Sequence, residues 1–182
     1  MKGVFIMTKK ITIRQIAYDA MLAAMYFVLS FASIKLGNMK ISVSGLPILV
    51  GALLFGPADG FLIGLVGAFL EQMVSQYGLT ATTVLWILPP AIRGLLAGAY
   101  AKKRDFSLSP KQTVFITVLT ALVLTVLNTA VMYIDSKIFG YYSKAYVFGG
   151  LVSRFVIGVL TAIVFSLILY PLIKGIKKNI RL

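Results

Sequence analysis

Long apolar runs, separated by short connections that hold most of the basic residues, limit this 182-residue chain to very few architectures. A bilayer-crossing helix needs about 20 mostly apolar residues. Six candidate spans fit along the chain: about 16–34, 45–55, 60–77, 83–101, 113–134 and 147–173. The expected fold is therefore an all-α integral membrane protein, a six-transmembrane-helix bundle forming a single membrane domain over 1–182. The second span is too short to cross straight, and Pro47 and Gly56-Pro57 bracket it. Such a helix is tolerated at membrane depth only where protein or a water-filled cavity covers its ends.

The charge balance alone points elsewhere. Eighteen Lys and Arg stand against five Asp and Glu, which on a soluble fold would indicate a nucleic-acid partner. With 59% hydrophobic residues the chain has too little polar surface for that role, so no nucleic acid is expected. The basic residues act instead as orientation signals. Lys2, Lys9, Lys10 and Arg14 precede the first span; Lys102, Lys103, Arg104 and Lys111 join the fourth and fifth. Lys174, Lys177, Lys178 and Arg181 follow the sixth. The opposite connections hold only Lys35, Lys40, Lys137 and Lys144. Six spans put the larger set on one face and make both termini cytoplasmic. The charged N-terminus lacks a compact apolar core followed by a small-residue cleavage site, so the first span is read as a retained helix. Met1 and Met7 are both available as the start.

Without Cys or His, the chain has no disulfide, thiol nucleophile or imidazole base. Its carboxylates are scattered singly, and no phosphate-binding G-x-x-x-x-G-K-[ST] loop is present. The reading is a non-enzyme without a cofactor of its own.

Ionisable groups inside spans are costly and mark function by default. Glu71, Arg93 and Arg154 qualify, joined by Asn128. At 1.5 Å per residue all four lie roughly 9–13 Å below the outer ends of their spans, in one layer. Gln72, Gln76, Trp86, Tyr133, Asp135 and Tyr146 lie at or above it. Two arginines against one carboxylate leave a surplus positive charge, which points to an anionic or acceptor-rich ligand. The competing reading is a structural ion pair, with Trp86, Tyr133 and Tyr146 as interfacial aromatics. On the first span Ala17, Ala20 and Ala24 form a small-residue stripe that lets another helix approach closely, inside or outside the bundle. The connection KLGNMKISVS (35–44) is long enough to fold over a cavity mouth.

The stretches MKISVSGLPILVGALLFGPADGFLIGLVGAFLEQ (39–72) and PPAIRGLLAGAYAKK (89–103), with the alanine stripe, resemble the S components of bacterial energy-coupling factor (ECF) vitamin importers. The resemblance implies a substrate-binding subunit of the bacterial cell membrane that captures a B-group vitamin at the outer face. Delivery would run through a membrane T component driven by two ATPase subunits, which hydrolyse the ATP. It places Lys40 in a lid, Arg93, Asn128 and Arg154 in the pocket lining, and Ala17, Ala20 and Ala24 on the T-component docking face; Glu71, Trp86 and Tyr133, from the polar layer and its rim, complete the expected substrate-binding set. Pantothenate ranks first as substrate, ahead of folate and pyridoxine or hydroxymethylpyrimidine. An autonomous secondary carrier is the alternative of a different class. It is disfavoured because no two halves of the chain match and the polar layer is off-centre.

Overall fold

The computed structural model describes residues 12–36 and 39–179, with the backbone alone for 34–36 and 39–41. Helix α1 (Ile13–Phe31) starts from Thr12, whose hydroxyl caps the Gln15 amide. A two-stranded antiparallel hairpin follows, β1 (Ser33–Leu36) and β2 (Met39–Ser42), where the sequence suggested only a loop. Then come α2 (Gly45–Phe55), α3 (Pro57–Met73), α4 (Thr83–Lys102) and α5 (Pro110–Ile138). The expected sixth span is divided into α6 (Lys144–Phe148) and α7 (Leu151–Asn179), with Gly149-Gly150 at the break. The third span starts three residues earlier than expected. Gly56, at φ +126°, turns the chain sharply, and Pro57 then opens α3 at a position whose N–H needs no partner. It also ends earlier, at Met73 rather than Tyr77. The Met1 and Met7 alternatives lie outside the described residues.

α4, α5 and the α6–α7 unit are long and apolar enough to cross a membrane, and α2 is a shorter apolar helix. Specific contacts fix the helix directions. Gln15 bonds Asp59 and Tyr26 bonds Glu71, so α1 and α3 run side by side in parallel. Gly60 faces Gly94 while Gly56 faces Gly98, so α4 runs antiparallel to α3. Gly158 faces Thr125, and Arg154 reaches Thr129, so α5 and α7 are antiparallel. The hairpin, the 74–82 loop and α6 therefore gather at one end of the bundle. Arg14, Lys102 to Arg104, Lys111 and the lysines of α7 gather at the other.

Ten of the eleven residues of α2 are buried, and Ile48, Leu49, Ala52 and Leu53 are closed off almost completely. They form the centre of the apolar core, packed against α1, α3, α4 and α7. The short span thus has protein on every side, which is how eleven residues can lie at membrane depth.

Glycines set the α3–α4 spacing. A Cβ built on Gly94 would stand 2.0 Å from the Gly60 carbonyl oxygen, and one on Gly98 would stand 2.5 Å from the Gly56 backbone. Neither contact can yield, since both are backbone. Gly94→Val is expected to cost about 1–3 kcal/mol by overpacking, seen as a lower melting temperature in detergent. Gly175→Ala, where nothing among the described residues lies within 4 Å, should leave that temperature unchanged or slightly higher.

Candidate functional site

A cavity of about 620 Å³ opens at the hairpin end of the bundle. Its size falls within the range of small-molecule sites. α1 contributes Tyr26, and the start of α2 contributes Ser44, Gly45 and Ile48. α3 adds Glu71 and Gln72, and α4 adds Trp86, Pro90 and Arg93. The far wall is α5 and α7, with Thr125, Asn128 and Met132 facing Arg154, Thr161 and Phe165; Tyr146 of α6 completes it.

Arg93 is the unusual member. It is 7% exposed, and its Nε has no hydrogen-bond partner among the described residues. Its guanidinium fills the space a side chain on Gly45 would need: a Cβ there would stand 2.3 Å from Nη1. The guanidinium carbon sits 5.7 Å from the centre of the Phe165 ring, a cation–π contact. Such a contact recovers only part of what a buried guanidinium loses on leaving water.

Arg154 is held differently. Its Nη2 donates to the carbonyls of Val147 (3.0 Å) and Tyr146 (3.3 Å), the trailing carbonyls of α6. Its Nη1 reaches Met132 Sδ at 3.1 Å and Thr129 Oγ1 at 3.5 Å, while Nε has no partner among the described residues. Arg154 therefore ties the α6–α7 break to α5 as well as lining the cavity. Across the space, the Tyr26 hydroxyl donates to Glu71 Oε2 at 2.9 Å.

The sequence-predicted residues Glu71, Trp86, Arg93, Asn128 and Arg154 thus meet around one space. Tyr133 does not join them. It is 42% exposed, its ring packs edge-on against Tyr142, and the Lys137 amine lies over both rings. It sits on the outer surface as a belt-type aromatic, because its helical position turns it away from the wall that Asn128 and Met132 form. Lys40 lies in β2, opposite Lys35, but its side chain is outside the described residues.

Asp135 lies beside the cavity without lining it. Its carboxylate accepts hydrogen bonds from the Thr82 hydroxyl, from Trp86 Nε1 at 3.2 Å and from the Tyr141 hydroxyl. Desolvation and that carboxylate raise the Tyr141 phenol well above the ordinary tyrosine range, which keeps its proton available for donation.

Sequence reasoning missed Tyr26, Phe165, Thr125 and Thr161. Phe165 sits in a continuous apolar run and carries no distinguishing signal. A lone tyrosine hydroxyl in the middle of the first span was the available hint for Tyr26, since a buried phenol needs a partner.

Ala17, Ala20 and Ala24 are exposed on the side of α1 opposite its buried Leu22, Ala23, Tyr26 and Ser30. Exposed Ile13, Ile16, Met21, Met25 and Val28 flank them. Among the described residues, no helix of the bundle covers the stripe.

Comparison with known proteins gives a consistent outcome. The family model "ECF-type riboflavin transporter, S component" matches residues 10–178. A UPF0397 protein of Streptococcus pneumoniae is 30% identical over 95 residues, covering 51% of this chain and 50% of its own. One from Streptococcus thermophilus is 29% identical over 102 residues, covering 55% of each. The chain thus spans about half the length of these curated relatives. Among solved structures, the S component of a bacterial ECF transporter superposes with a TM-score of 0.67 at 20% identity, over 90% of this chain and 98% of its own. FolT bound with folic acid gives 0.65 at 18% identity, over 85% and 90%. At these identities the structures speak for the fold alone.

Proposed function

This chain belongs to the ECF-type riboflavin transporter S component family, and from that premise we propose that its cavity takes a ring-bearing B-group vitamin, riboflavin first. The family is a transporter component rather than an enzyme, and its members are membrane proteins that bind a vitamin without hydrolysing ATP. In this reading the chain crosses the membrane six times, with both termini cytoplasmic and the cavity facing out. It captures the vitamin there and passes it on through a T component powered by two ATPases. The clustering of basic residues at the end away from the cavity supports that orientation.

The observation that carries the ligand reading is Arg93: a buried guanidinium, short of hydrogen-bond partners, in the wall of a large cavity. It suits ring carbonyls or another acceptor-rich edge, which a planar fork can grip with two bonds. Trp86, Tyr26 and Phe165 offer surfaces for a flat ring. Asn128, Thr125, Thr161 and Arg154 suit a hydroxylated side arm. Pantothenate, ranked first on sequence, loses support here. It is small and has no ring, so it would leave the aromatic walls and much of the 620 Å³ unused.

The test is titration of the purified chain with riboflavin, followed by quenching of flavin fluorescence, with folate and pantothenate as competitors. Saturable one-to-one quenching that neither competitor reverses is expected. Tighter binding of either competitor would overturn the substrate assignment. Vesicles containing the lone chain should not accumulate riboflavin. Accumulation would favour the secondary-carrier reading.

A further inference from the structure

Asp135 is 7% exposed, and its partners among the described residues are three neutral donors: Thr82 Oγ1, Trp86 Nε1 and the Tyr141 hydroxyl. The first two stand at the start of α4, and the third lies in the link between α5 and α6. A carboxyl group this buried needs hydrogen-bond donors to replace the water it has lost. The same bonds constrain everything that donates to it.

Two of those constraints reach the cavity. Trp86 lines it, and the bond to Asp135 fixes the orientation of the indole. Tyr141 meets Tyr146 edge-on, with ring centres 5.5 Å apart, and Tyr146 also lines the cavity. One carboxylate outside the site thus holds two aromatic walls that belong to different segments. Nε1 is the indole's single hydrogen-bond donor, and among the described residues its partner is Asp135.

We propose that Asp135 is a positioning residue for the vitamin: it orients the Trp86 indole directly and Tyr146 through Tyr141, and so sets how firmly a flat ring is held. The proposal rests on the reading of the cavity as a vitamin site. It adds a residue that touches no ligand, and it assigns the Trp86 indole to ring contact. A purely structural Asp135 would affect stability but neither the environment of the indole nor the rate at which ligand leaves.

Trp86 is the sole tryptophan of the chain, so its emission and near-ultraviolet circular dichroism report on this indole alone. The experiment uses the full chain in detergent, first without ligand. Asp135→Ala should shift the Trp86 emission to longer wavelength and flatten its near-ultraviolet dichroism. Asp135→Asn, which keeps an acceptor of the same shape but no charge, should fall between Asp135→Ala and wild type. Riboflavin release, followed by recovery of flavin fluorescence after dilution, should be about tenfold faster in Asp135→Ala, the scale of losing a hydrogen bond to a charged group. Adding Asp135→Ala to Trp86→Phe should change release less than it does in wild type, because the direct contact with the indole is already gone and only the Tyr141 arm remains.

Unchanged indole spectra in both Asp135 variants would overturn the proposal, as would additive effects in the double variant. If Asp135→Ala does not fold, Asp135→Asn decides by the same readouts. If wild type binds no riboflavin, the vitamin reading fails, while the ligand-free spectra still decide whether Asp135 orients the indole.

Discussion

Arg93→Met should stabilise the empty protein and weaken the vitamin complex, two changes of opposite sign from one substitution. The guanidinium is buried, its Nε is unpaired among the described residues, and its visible recompense is the ring of Phe165. Replacing a poorly compensated buried charge with an apolar side chain of similar length is often neutral or stabilising. Methionine also keeps a favourable contact with the Phe165 ring. The melting temperature of the ligand-free protein should therefore rise, by about 2 °C or more for each kcal/mol gained. Binding should lose about 2 kcal/mol, roughly 30-fold in Kd, because ligand acceptors lose a charged donor. A lower melting temperature with unchanged affinity would make Arg93 a structural residue and remove it from the site. Thermal unfolding and titration on the same two preparations decide between them.

The second large effect lies on the other side of the molecule. Ala20→Trp and Ala24→Trp each place an indole on the exposed alanine stripe of α1, where a close helix approach needs small side chains. If that stripe is the docking face for the T component, uptake in cells that co-express the T component and ATPases should fall to background. Vitamin affinity should stay within about twofold of wild type, because the two faces share no side chains. The cavity-facing side of α1 carries Tyr26, and that side points away from the stripe. Loss of affinity together with uptake would show that the stripe supports the cavity rather than a partner. Unchanged uptake would remove the docking assignment.

Much of this architecture was legible from apolar run length and polar residue depth. The all-helical fold emerged because membrane depth leaves few other ways to satisfy the backbone. Glu71, Arg93, Asn128 and Arg154 were found together because polar groups within spans are rare and their depths agreed, and Trp86 stood at or above the same layer. Tyr133 stood there too and still lies outside the cavity. Depth along a helix is readable from sequence, but rotation about its axis depends on packing. Asp135 was seen only as a residue at the rim; its role depends on Thr82, Trp86 and Tyr141 converging from two separate segments. The hairpin at 33–42 was hidden because its four-residue strands carry too short a pattern to distinguish from a loop. The break before α7 was hidden in a nearly continuous apolar run, although Gly149-Gly150 marked it. Substrate choice was the weakest point. Counting charges favoured a small acid, whereas cavity volume and aromatic walls are properties of the assembled helices.

The enclosure of α2 has a consequence for how the chain is made. Eleven residues span about 16 Å of helix, too little for an inserting segment to settle across a bilayer alone. α2 and α3, joined only by Gly56 and both packed on α1, are therefore expected to insert together as a helical pair. α7, which follows in the chain, covers the remaining face of α2 and brings Phe165 to Arg93. Without α7 the cavity lacks the wall that Arg154, Thr161 and Phe165 form, so a chain cut before α7 is expected to lose ligand binding altogether.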